Sequence, residues 1–309
     1  MRMTAFACFL ALGAASCASQ PPARFDSPEI AVSQLVAALR TDDVGRLEEM
    51  VGEENEDLIG SGDPVADRAD REQFLALYEE KYRLEEQPDG SRILCIGEID
   101  WPMPIPLVKS EDGWYFDAET GRDEVISRRV GENELSAMQV CLAYVDAQVE
   151  YFSKDRDGDG IREYARSFAS APDQKNGLFW QTAEGEEPSP LGELAAAASK
   201  EGYSRNEEGP TPYHGYLYRI LESQGASAPG GAYDYRVRED LIGGFALIAY
   251  PAEYDSSGVM SFAVSHDGVV FEKDLGTGTR KTAEKMKRFD PDGWTKVGEV
   301  SGGAASGAP

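Results

Sequence analysis

Ile242–Leu275, IGGFALIAYPAEYDSSGVMSFAVSHDGVVFEKDL, is the stretch whose reading decides the fold. Gly244 to Tyr250 is almost wholly apolar, the pattern of a strand covered on both faces. Pro251 ends it, because proline has no N–H to give to a ladder. Val259 to Ser265 alternates, with Met260, Phe262 and Val264 on one face and Ser261, Ala263 and Ser265 on the other, which predicts a half-buried strand. His266-Asp267-Gly268 is a tight hairpin turn, since Asp-Gly accepts positive φ at both central positions. The chain then returns through Val269-Val270-Phe271. Two further strands are expected upstream, Gly215 to Leu221 and Tyr233 to Arg238, giving a five-stranded antiparallel meander.

Working back toward the N-terminus, Asn133 is read as a helix cap. Leu135, Met138, Leu142, Val145, Val149 and Phe152 follow at alternating spacings of three and four. Such a stripe predicts a core-facing helix packed on the meander. Before it lie helical patterns from Ser27-Pro28-Glu29, from Asp43, and over Ala66 to Tyr82. Strand patterns follow at Ser91 to Ile96, Ile105 to Lys109 and Gly113 to Asp117. The class expected is α+β, helices with antiparallel sheets. The division expected is a signal peptide (1–16), a tether (17–25), a first α+β domain (26–130), a helix-plus-meander domain (131–297) and a tail (298–309). Between helix and meander, Leu191 to Lys200 predicts a short helix, as does Thr279 to Phe289 after the meander.

The chain carries 56 acidic against 30 basic residues in 309, a net charge of −26. That balance repels nucleic acid, which is excluded as a partner of the folded part. Met1-Arg2 followed by the apolar run Thr4 to Ser16 is too short to span a membrane and fits an export signal. Ala14-Ala15-Ser16-Cys17 resembles a bacterial lipobox, with Ala14 in place of its preferred leucine. The resemblance implies that Cys17 becomes a lipid-bearing first residue and anchors the chain to a membrane; ordinary cleavage after Ala18 is the alternative. The expected address is the envelope, as an outer-membrane or periplasmic lipoprotein in a Gram-negative cell. Cys95 and Cys141 are then the remaining thiols, a candidate disulfide or two buried free thiols.

One stretch has cation-binding spacing. Asp155, Asp157 and Asp159 alternate before Gly160, Ile161 would offer a carbonyl, and Glu163 a further carboxylate. Arg166 stands where an EF-hand loop needs its bidentate glutamate, so the choice is between a weaker calcium loop and a solvated acidic turn. His214 and His266 are the only histidines, too few for a three-histidine zinc site. The chain has no Gly-x-Ser-x-Gly elbow, phosphate loop or dinucleotide fingerprint. Asp63 and Glu253 are the first candidates for a carboxylate pair acting on a glycan.

Several motifs together, GSGDPVADR from Gly60, WPMPIPLVK from Trp101, YVDAQVEYFSKDRDGDGIREYA from Tyr144, PYHGYLYRIL from Pro212, GGFALIAYPAEY from Gly243 and DGVVFEKDLG from Asp267, resemble the bacterial family labelled domain of unknown function 2950. That resemblance implies a secreted or lipidated envelope protein without an established activity. PLVKSEDGWYFD from Pro106 is similar to the terminal hairpin of nuclear-transport-factor-2-like or cystatin-like domains, and NELSAMQVCLAYVDAQVEYFS from Asn133 resembles the helix of a type IV pilin or pseudopilin head. These two imply fold only. The function expected is a non-catalytic, lipid-anchored binding or assembly module with a protein partner in the envelope. A carboxylate-dependent hydrolase of an envelope polymer and a calcium-dependent adhesion or scaffold protein are the alternatives.

Overall fold

The structure is a computed structural model and describes residues 20–156, 158–183, 185–204 and 210–298. Cys17, Asp157 and the segments 1–19 and 299–309 lie outside the described residues.

The first half builds one apolar core from helices α1 (Pro28–Arg40), α2 (Val44–Val51) and α3 (Pro64–Glu80) and a sheet. Each helix begins where a side-chain oxygen meets an otherwise unpaired N–H. Ser27 accepts from the Ile30 N–H, Asp43 from Arg46, and Asp63 from Val65 and Ala66. The sheet runs β1-β2-β4-β5, from β1 (Tyr82–Glu86), β2 (Arg92–Ile96), β3 (Trp101–Pro102), β4 (Leu107–Ser110) and β5 (Gly113–Phe116), with β3 paired to β2. Val32, Leu35, Met50, Leu94, Ile96, Leu107 and Phe116 fill this core.

Helix α4 (Ala118–Phe152) is 35 residues long and corrects two expectations. It does not begin at Asn133: Asp117 caps it through the Thr120 N–H, and it runs unbroken past 131. Asn133 is instead buried inside the helix, its side chain donating to the Ser257 carbonyl at 2.9 Å. The second correction concerns its faces. The buried face is Ala137, Val140, Cys141, Tyr144, Ala147, Gln148 and Tyr151, whereas Leu135, Leu142 and Val149 are 59%, 48% and 59% exposed.

The second core lies between α4 and a five-stranded antiparallel sheet of order β14-β13-β12-β11-β6. Its strands are β6 (Tyr216–Leu221), β11 (Ala246–Pro251), β12 (Met260–Ser265), β13 (Val270–Asp274) and β14 (Thr295–Lys296). Three are the strands of the opening quotation, and Ala246 pairs with Leu221 and Ser265 as neighbours on either side. The fifth strand is β14, not Tyr233–Arg238. That segment forms only two-residue ribbons, β7 (Ser223–Gln224) with β8 (Tyr233–Asp234) and β9 (Arg236–Val237) with β10 (Asp240–Leu241), and Arg238 at φ 61° turns the chain out of extended geometry. β12 is also buried along both faces rather than half-buried: α4 packs against it, and Ser261 and Ser265 are sealed with Phe262 and Val264. Helices α5 (Gly192–Glu201) and α6 (Thr279–Lys285) complete the chain, and α6 packs on β11. Among the described residues seven aromatic side chains of this second core, among them Tyr144, Tyr151, Tyr216 and Phe262, are fully buried, and each such Phe contributes about 1.5–3 kcal/mol on transfer grounds.

Candidate functional site

The chemistry-bearing side chains concentrate where the two cores meet, around the loop Gly60–Pro64. Asp63 is 1% exposed, and four donors surround its carboxylate. Oδ1 accepts the Val65 and Ala66 N–H groups at 3.2 Å each, and Oδ2 accepts the Tyr203 hydroxyl and the Gly215 N–H at 2.9 Å each. The first pair is an N-cap; the second ties α3 to the start of β6, 152 residues away in the chain. The His214 N–H donates to the Tyr203 oxygen at 3.2 Å, and the His214 ring meets Glu201 at 3.1 Å. Burial pushes the Tyr203 hydroxyl's pKa far up, reinforced by the adjacent Asp63 carboxylate, so it stays a donor. Glycine is required at two places here: a Cβ on Gly62, at φ +88°, would meet Glu253 Cγ at 2.7 Å, and one on Gly215 would meet Asn133 Nδ2 at 2.4 Å.

Helix α4 is stitched to both halves beside this point. Arg129 donates to the carbonyls of Asp57 and Leu58 at 2.8 Å each and to Ser256 Oγ at 3.3 Å, while Arg122 forks onto the Asp57 carboxylate. Glu134 accepts the Val259 and Met260 N–H groups at 3.1 and 2.9 Å. Burial lowers the Arg129 pKa, opposed by the charges of Asp67, Asp70 and Asp57. Asp70, solvent-exposed on α3, has its pKa raised by partial desolvation first, then by the charges of Glu132 and Asp67.

This arrangement holds rather than reacts. The Asp63 oxygens are occupied by donors that do not leave, so it is not placed to carry a proton or attack a carbon. Glu253, its neighbour across Gly62, is exposed and lines a shallow depression of about 370 Å³ with Tyr254, Asp255, Thr277 and Arg280. A second depression, about 410 Å³, opens over Lys281, Thr282, Lys285 and Met286. Neither brings Asp63 and Glu253 together across an enclosed cleft.

In the acidic loop, Asp155 uses Oδ1 on the Gly158 N–H and Oδ2 on the Gly160 N–H, at 2.7 and 2.9 Å, and Asp159 accepts from Ile161 at 2.7 Å. Among the described residues no group of three acidic, histidine or cysteine side chains converges as a metal site. Cys95 on β2 and Cys141 on α4 are both buried and free. Burial pushes the Cys141 thiol up to about 12.

Asp before Pro at a helix start is itself a cap signature, and the structure places Asp63 in that role at α3. Sequence reasoning missed Tyr203 and Arg129. Nothing in the pair Arg128-Arg129 marked Arg129 as the one turned inward, and Tyr203 lies in the least patterned part of the chain.

The remaining anomaly is the outer face of α4. Leu135, Leu142 and Val149 repeat every seven residues in the open, flanked by half-buried Met138, Val145 and Phe152. The stacking of Phe152 on Tyr164, centroids 4.4 Å apart, prolongs this apolar line to the helix end.

Among known proteins, the family described as "Protein of unknown function (DUF2950)" matches residues 23–297. No curated protein and no solved structure matches the chain.

Proposed function

From the premise that the chain belongs to the DUF2950 family, whose description assigns no activity, we propose that it is an exported, lipid-anchored binding or assembly module of the cell envelope without chemistry of its own. The observation that carries this reading is the solvent-facing apolar row of the 35-residue helix α4. An apolar patch of about 300–600 Å² on a monomer is often a functional one. The fully engaged carboxylate of Asp63 and the shallow, open depressions support a non-catalytic role. The run Thr4 to Ser16 followed by Cys17 supports export and lipidation.

Fractionation of cells making the wild-type chain and Cys17→Ala tests the proposal. The wild type is expected in the membrane fraction with a diacylglyceryl mass increment on Cys17, and the variant in the soluble exported fraction. Equal partitioning of both, or an unmodified N-terminus on the wild type, overturns the anchor.

A further inference from the structure

We propose that the exposed arc of α4 between Leu135 and Val149 is a docking strip for a basic amphipathic helix of a partner protein. The inference rests on the binding-module reading above and names the partner's chemistry, but it does not depend on the lipid anchor.

Two features of one arc carry it. Leu135, Leu142 and Val149 sit at the spacing that keeps a row of knobs facing a partner helix, with Met138 and Val145, half-buried against the second core, offering their outer edges at the intervening positions. The three exposed side chains offer on the order of 300 Å², the size of patch that is often functional on a monomer. The other edge of the arc carries Glu132, Asp146 and Glu150, all solvent-facing. A helix laid along this strip meets an apolar row beside an acidic row. Its own complement is therefore an apolar stripe flanked by Lys and Arg.

The same charges decide against the other occupants. A second copy would bring acidic row against acidic row in a chain already at −26. An anionic lipid surface is repelled for the same reason. Burial of the strip by a single helix is at the low end of specific interfaces, so the contact expected is micromolar and reversible.

The test uses the purified full chain and a fluorescein-labelled peptide of about three heptads with Leu at the seam positions and Lys at the flanks. Its twin with Glu for Lys serves as the charge control. The Lys peptide is expected to bind and the Glu peptide not. Leu142→Glu is expected to weaken binding at least about tenfold, and Asp146→Lys several-fold. Ile99→Glu, on a side chain 84% exposed in a turn of the first half, is expected to leave binding unchanged. Position 142 faces solvent, so the Leu142→Glu variant keeps its melting temperature, which is checked first. Binding that survives Leu142→Glu, or falls equally with Ile99→Glu, is nonspecific attraction to an acidic protein and overturns the proposal. So does a concentration-dependent dimer in sedimentation that Leu142→Glu abolishes, or flotation of the Cys17→Ala chain with phosphatidylglycerol vesicles that Leu142→Glu abolishes. Loss of the membrane anchor leaves this experiment unaffected, so the two readings fail separately.

Discussion

Asp63→Ala removes the acceptor shared by two distant parts of the chain. The Val65 and Ala66 N–H groups lose their cap, which costs about 1 kcal/mol. The Gly215 N–H and the Tyr203 hydroxyl are left in a buried site without their partner, each costing about 1–3 kcal/mol. The sum expected is roughly 3–7 kcal/mol, a large fraction of the stability of an ordinary domain. Asp63→Asn keeps a capping oxygen but turns an amide toward two donors, so an intermediate loss is expected. Urea unfolding followed by tryptophan fluorescence measures both, and Tyr203→Phe completes a double-mutant cycle. Asp63 and Tyr203 are expected to couple by about 1 kcal/mol or more. A loss below about 1 kcal/mol for Asp63→Ala, or strict additivity with Tyr203→Phe, would refute the idea that this carboxylate joins the halves.

Three further outcomes follow from the same geometry. Desolvation against its neighbours and the charges of Glu132 and Asp67 hold the Asp70 carboxyl's pKa above its unfolded value although the residue is solvent-exposed, so the small stability its protonated form contributes is complete below pH 3.8 and is lost as pH rises through the folded value. Asp70→Asn is therefore expected to melt above wild type at pH 7, with the gap closing toward pH 3. Gly62→Ala is expected to cost more than about 1 kcal/mol, and Glu253→Ala in the same chain should return the steric part while leaving the strain of positive φ. The Cys141 thiol, pushed up to about 12, is expected to resist iodoacetamide at pH 8 and to react once urea opens the core, as peptide mass mapping would show.

Much of the architecture was legible because it rests on local punctuation. The Asp267-Gly268 turn, the Ser27-Pro28 start and the Pro251 stop announce themselves in a few residues each. The faces of α4 were not legible, for a reason that can be stated. The helix carries two apolar stripes, and the bulkier one, Leu135 to Phe152, looks like the core. The buried stripe is made of Ala137, Cys141, Ala147 and tyrosines, with Gln148 in their midst. Small residues on this face suit close packing of the helix on the sheet. Gln148 is admitted because its amide spans the Ala165 N–H and C=O, at 2.9 and 2.8 Å, and the Tyr144 hydroxyl at 2.9 Å. None of those partners is visible from hydropathy. The helix start was misplaced in the same way: Asn133 is polar because Ser257 awaits it, not because the helix begins there.

The continuity of α4 has a practical consequence. At 35 residues it reaches roughly 50 Å, and its first turns belong to one core while its last turns belong to the other. A fragment cut after Val130 would end in mid-helix and forfeit the Asn133 and Glu134 contacts. Its complement would begin with bare N–H groups where a covalent neighbour used to be. Deletion libraries should accordingly lose both halves of this protein together, however separate they look on paper.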